Sequence, residues 1–328
     1  MREVTNKLLS LLFEFDNICK SFNFNYIVGG KLPGFIYNNE ISDINTISVY
    51  MLPKDILKLI SLSKKGNIGN NRKIEYIGNN PNYPDFSARY VDISTTYLEC
   101  QEINLYKYQG MFIELIPIRG KSSGGKKNFL YGNLEKIYEF SDIRRMDVSY
   151  YKMRIIIYRI FKLFRKLIEY KIDKIIFKKM CKYYQYNEDN NKVYFKNIFR
   201  LCVSMPAEIF YKTNYVDYLG FKVRLPENNK KYCSKLYTTK IKTLLYPKKL
   251  KTSSSILIIN PYIPYDSILS NFTDIKDYQK ECNKVRKQIY QCNISYKNRR
   301  EHYNTAWRKV KKLYSENLIN KNTIKMDD

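Results

Sequence analysis

The chain has 328 residues, 44% of them hydrophobic, enough to bury one sizeable core with extensions, so wholesale disorder is excluded as the starting expectation. Lys and Arg number 58 against 31 acids, and the excess is lopsided: 19 bases and 15 acids through Met146 give +4, while 39 and 16 beyond it give +23. Such a field favours an anionic partner, whether a lipid headgroup surface, a phosphorylated glycan or nucleic acid, and does not choose among them. Seven cysteines without CxxC spacing and a single histidine, His302, argue against a zinc cluster and for reduced thiols in a cytosolic setting.

Glu14 and Asp16 interrupt the N-terminal stretch before any long apolar run, so no signal peptide is expected. No apolar run nears the ~18 residues of a spanning helix, which leaves a cytoplasmic protein with peripheral membrane contact as the expectation.

In chain order, Val4, Leu8, Leu11, Leu12, Phe15, Ile18 and Cys19 recur at three-to-four spacing and predict an amphipathic first helix. Tyr26-Ile27-Val28 reads as a short buried strand ending at Gly29-Gly30, where a turn without Cβ atoms lets the backbone pass close to another group. The β-branched, alternating stretch Asp43 to Met51 predicts a neighbouring strand, and Pro53 suits the first turn of a helix through Ile56, Leu57, Leu59 and Ile60. After a Gly/Asn-rich loop from Gly66 to Asn71, further strands are expected at Ile74 to Ile77, Phe86 to Asp92 and Met111 to Ile116. The basic loop Lys121 to Lys127 lacks the spacing of a phosphate loop and reads as solvated.

Tyr151 to Tyr184 predicts a helical segment with an apolar stripe and 11 Lys/Arg against two acids, suited to packing on the core or to lying on an anionic bilayer. Tyr215 to Val223 reads as a late strand, Leu225-Pro226 precedes a short helix through Tyr232 and Leu236, and Asn260-Pro261 to Pro264 reads as a rigid turn. Asp274 to Leu318 is expected to be basic helix carrying His302 and Trp307 as partly packed surface residues.

Four blocks of this pattern resemble the LicD family of phosphocholine and polyol-phosphate transferases. They are Phe15-Asp16 with Cys19 and Tyr26-Ile27-Val28-Gly29-Gly30-Lys31-Leu32-Pro33-Gly34; Ile47 to Asp55; Arg89 to Glu99 with Gly110 to Gly120; and Gly220 to Pro226 with Tyr232 and Leu236-Tyr237. The resemblance spans about Lys7 to Tyr237. It implies an α/β (α+β) fold with a nucleotidyltransferase-like mixed sheet flanked by helices. Residues 1–146 would form the core, 147–200 a basic helical insertion, 201–250 the closing segment and 251–328 a basic helical extension.

Nucleotidyltransferases join a Gly-Gly turn to a carboxylate pair on the next strand and a third acid on a neighbour, because hard oxygen ligands hold the Mg²⁺ that neutralises a nucleotide donor's phosphates. The resemblance implies transfer of phosphocholine or a polyol phosphate from a CDP-linked donor to a glycan or glycolipid, with Asp43, Asn45 and Glu114 as Mg²⁺ ligands and Asp43 and Glu114 as catalytic acids. Gly29, Gly30 and Lys31 would approach the donor phosphates, while Arg89, Asp92, Thr95 and Thr96, with Asn45 and Ser48, would hold the site or the nucleotide.

The sequence departs from the family at its acids. One registration places Asn45, Thr46 and Ser48 where carboxylates belong; another reads Asp43-Ile44-Asn45 as the pair. Neither restores two acids on that strand, so slow or lost catalysis is expected. That leaves an inactive binding scaffold at a membrane surface, and a nucleic-acid-binding nucleotidyltransferase, as alternatives to the transferase.

Overall fold

The computed structural model describes residues 2–80, 83, 86–99, 106–120, 160, 163, 171–183, 191–196, 202–237 and 256–267. The basic loop 121–127, most of the span 151–184, and 274–318 with His302 and Trp307 lie outside the described residues.

The first helix, α1 (Arg2–Ser21), forms where the periodicity places it and buries Leu8, Leu12, Phe15 and Cys19 on one face. Then come β1 (Tyr26–Gly29), α2 (Leu32–Tyr37), β2 (Ile47–Met51), α3 (Pro53–Lys64), β3 (Arg72–Tyr76), β4 (Ala88–Asp92), β5 (Thr96–Glu99) and β6 (Met111–Pro117). Five strands make a mixed sheet in the order β1-β2-β6-β4-β3, with β2 and β6 parallel and every other neighbouring pair antiparallel. The fold is α/β with a mixed sheet flanked by helices, as expected.

The later elements are α4 (Lys171–Tyr183), β7 (Lys192–Lys196), β8 (Cys202–Pro206), α5 (Glu208–Tyr211), β9 (Thr213–Tyr218), β10 (Phe221–Pro226), α6 (Asn229–Leu236) and β11 (Ile256–Asn260). Alternation along the strands divides the sheet into two faces. Val28, Val49, Leu115 and Tyr90 share one core with α1, α3 and Phe177 of α4. Ile27 and Tyr50 pack on the other face against Val193, Phe195, Met205, Phe210, Tyr232 and Leu236 of β7, β8, α5 and α6.

Several expected elements differ. β2 begins at Ile47, not Asp43, because Ile44 turns into the core and its N–H donates to Thr5 Oγ1 at 3.0 Å, tying the preceding loop to α1. The insertion is not helical throughout: β7 pairs with β8 across the boundary expected at residue 200. The single late strand is a hairpin, β9 and β10, turned by Leu219 at φ 53° and Gly220 at φ 82°. Within the extension, β11 pairs with β5.

Candidate functional site

Strand register sets one lateral row across the sheet. Gly29 pairs with Ser48, Ser48 with Glu114, Glu114 with Arg89, and Arg89 with Glu75. Laterally paired residues project to the same face, so Ser48, Glu114, Arg89 and Glu75 form one row, flanked along the strand direction by Tyr50 on one side and Phe112 on the other.

At the turn, a Cβ on Gly29 would stand 2.5 Å from Tyr50 Cε2, and Gly30 adopts φ +68°, so both glycines are required by the backbone and its neighbour. A Cβ on Gly30 would lie 3.5 Å from Ser48 Oγ, and that hydroxyl donates to Glu114 Oε2 at 3.0 Å. Gly30, Ser48 and Glu114 are therefore contiguous. Lys31, half-buried, follows directly, and burial pushes its amine down from its ordinary range.

Asp43 and Asn45 lie ahead of β2 in the loop. Asp43 stands with Glu40 near Tyr218, whose phenol is pushed up first by burial and further by these two carboxylates. The register thus puts a hydroxyl, Ser48, opposite Glu114, while Thr46 is exposed in the loop just ahead of β2.

Arg89 was expected at the substrate but is 2% exposed. Its guanidinium lies 3.6 Å from the Phe112 ring centroid and 3.9 Å from that of Tyr106, with Nη1 3.8 Å from Glu75 Oε2. Glu75 accepts from Asn80 Nδ2 and from the Lys107 N–H, yet burial still pushes its carboxyl above the ordinary value. Asp92 is fully buried and ties elements together: Arg72 Nη1 reaches Oδ1 at 2.7 Å, Lys7 Nζ reaches Oδ2 at 3.2 Å, and Ser94 donates to Oδ1. Thr95 Oγ1 donates to the Asp92 carbonyl and accepts the Met111 N–H, and Thr96 Oγ1 donates to the Ile263 carbonyl. Arg89, Asp92, Thr95 and Thr96 hold architecture in this fold.

Two residues without an assigned role in the sequence reading bear directly on the turn. Tyr232 O–H donates to the Val28 carbonyl at 2.7 Å, and Tyr237 O–H lies 3.0 Å from the Gly30 carbonyl. The signal was the face formed by Tyr232, Cys233, Leu236 and Tyr237, since a buried phenol needs a partner for its hydroxyl.

Magnesium coordination requires several hard oxygens. Among the described residues no three of His, Cys, Asp and Glu converge, and at the turn Glu114 is joined by a neutral hydroxyl. The described side chains do not fit a two-metal site. Comparison with protein-family models, curated proteins and solved structures finds no match to this chain. No helix among the described residues is long and apolar enough to cross a membrane.

Proposed function

We propose that this chain is a LicD-like transferase fold that binds a CDP-linked phosphocholine or polyol phosphate at the Gly29-Gly30 turn and has lost most or all of the magnesium-dependent transfer to a glycan. One observation carries the reading: Ser48 Oγ, beneath Gly30, hydrogen-bonds Glu114 Oε2 at 3.0 Å where an active enzyme would oppose two carboxylates across a cation. Replacing formal charges by hydroxyls weakens capture of a divalent ion by several kcal/mol, as an order of magnitude.

Isothermal titration with CDP-choline and CDP-ribitol, with and without Mg²⁺, tests this. The wild type binds one of them with an affinity that Mg²⁺ changes little. The Thr46→Asp, Ser48→Asp double variant, which puts one acid opposite Glu114 and a second two residues earlier in the adjoining loop, gains at least about tenfold in Mg²⁺-dependent affinity, equivalent to ~1.4 kcal/mol. Mg²⁺-dependent release of CMP from the donor by the wild type, abolished in Glu114→Gln, would show a working transferase instead.

A second reading concerns the partner of the basic surface. Exposed Lys174, Lys178, Lys179 and Lys182 of α4 surround Ile175, itself 50% exposed, while the helix's acid Asp173 is buried. Lys64 of α3 joins them: its amine is pushed down by partial burial and then by the nearby charges of Lys174 and Lys178. Lysines around an exposed apolar side chain suit an anionic lipid surface, each cation contributing roughly 1 kcal/mol there. In this reading the protein binds its donor while resting on a membrane, and nucleic acid is the competing occupant.

A further inference from the structure

We infer that Tyr237 is a positioning residue for the Gly30-Lys31 turn, its hydroxyl holding the turn's carbonyls toward α6 so that the following amides point the other way. The inference rests on the donor-binding reading above and adds the group that shapes the binding turn.

The Tyr237 hydroxyl accepts the Gly34 N–H at 2.8 Å and shares its own proton between the carbonyls of Gly30, at 3.0 Å, and Lys31, at 3.2 Å. On the same helix face Tyr232 donates to Val28 and Cys233 Sγ lies 3.6 Å from the Pro33 carbonyl. Groups on residues 28, 30, 31, 33 and 34 thus all end on one short stretch, 232–237, some 200 residues later in the chain.

In a planar trans peptide the carbonyl of one residue and the N–H of the next point in opposite directions. With the Gly30 carbonyl drawn to Tyr237, and the Lys31 carbonyl held both by Tyr237 and by the Gly34 and Phe35 N–H groups of α2, the N–H groups of Lys31 and Leu32 face away from it. Gly30 at φ +68° followed by Lys31 at φ −89°, ψ −23° is a left-handed then right-handed succession, which aims consecutive amides to one side as in backbone concavities that hold anions. Tyr237 is 1% exposed, and burial pushes its phenol well above its ordinary value, so the proton it donates stays in place near neutrality.

A hydroxyl that merely fills space would affect stability without affecting the turn. The control is Tyr26→Phe, which removes another buried hydroxyl, bonded to Asp16 Oδ1 at 2.7 Å on the opposite sheet face, and leaves Asp16 its contacts with Tyr215 and Lys20. The full chain is ¹⁵N-labelled, and wild type, Tyr237→Phe and Tyr26→Phe are compared by amide spectra, thermal unfolding and CDP-choline titration. Both variants lose stability. Only Tyr237→Phe displaces the amide resonances of Gly30, Lys31 and Leu32 and weakens CDP-choline binding, by roughly fivefold to tenfold, the loss of about one hydrogen bond.

Unmoved turn resonances in Tyr237→Phe, or a loss of binding equal to that in Tyr26→Phe, overturn the inference. If the wild type binds no CDP-choline, the functional reading falls, and the amide resonances still decide the role of Tyr237. If Tyr237→Phe does not fold, 3,5-difluorotyrosine at position 237 keeps the ring and strengthens the donor. It then shifts the same resonances, and their failure to move refutes the tie.

Discussion

Asp92 carries its carboxylate with no exposed surface, between Arg72 and Lys7, at the junction of β4, β3 and α1. Replacing it by Asn keeps the volume and removes the charge, leaving Arg72 with Glu14 as its acidic partner. Breaking a buried pair from one side leaves uncompensated charge, so Asp92→Asn is expected to cost about 3 kcal/mol in urea unfolding. A loss below ~1 kcal/mol would return Asp92 to the pool of binding residues. Residue by residue, the sequence made the Gly29-Gly30 turn visible, since the strand before it and the strand after it both show in the pattern. It could not show that Ser48 lies opposite Glu114 while Asp43 stays in the preceding loop, because that depends on cross-strand register. Nor could it reveal that Arg89 lies between two rings, because Tyr106 and Phe112 are distant in sequence and meet it only through the sheet.

Among the elements, α1, β1, α3, β4 and β6 were legible because each is a run of buried side chains with a clear period or a Pro start. The elements that escaped are short or carry a misleading turn. α2 has six residues, including Pro33 and Gly34, and is held by contacts with α6 more than by helix propensity. The hairpin of β9 and β10 looks like one strand in the sequence because Leu219-Gly220 lacks the Asn-Gly or Asp-Gly signature of a tight two-residue turn. Leu219 sits at φ 53°, where a Cβ is strained. Leu219→Asn should therefore stabilise the protein by about 0.5 to 1 kcal/mol, read as a higher urea midpoint at unchanged slope. An unchanged or lower midpoint would mean that the Leu219 side chain contributes more through packing than its backbone loses.

At the scale of the whole molecule, a net charge of +27 was evident from composition, and so was its concentration beyond Met146. Composition could not show that α4 brings lysines beside Lys64 of α3, since that neighbour comes from 110 residues away. Vesicle flotation measures what this face does. The full chain is expected to float with phosphatidylserine vesicles at ~0.05 M salt, to remain at the bottom with neutral vesicles, and to release by ~0.5 M, where screening shortens to a few ångströms. Lys174→Glu with Lys178→Glu should abolish flotation while leaving CDP-choline binding intact. Retained flotation in that variant would move the contact to another surface, and tight tRNA retention on filters without flotation would favour nucleic acid as the occupant.

The parallel pairing of β2 with β6 joins residues 66 positions apart, and Tyr232 of α6 closes onto β1 across some 200. Links of such long sequence separation raise the loop-closure cost of forming the sheet and of docking α6, and so slow folding. An intermediate that has completed the five-stranded sheet but not docked residues 232–237 would own Ser48 and Glu114 and still lack a shaped glycine bend. On the proposed function, a donor added during refolding is expected to bind only once residues 232–237 have docked, later than the sheet forms.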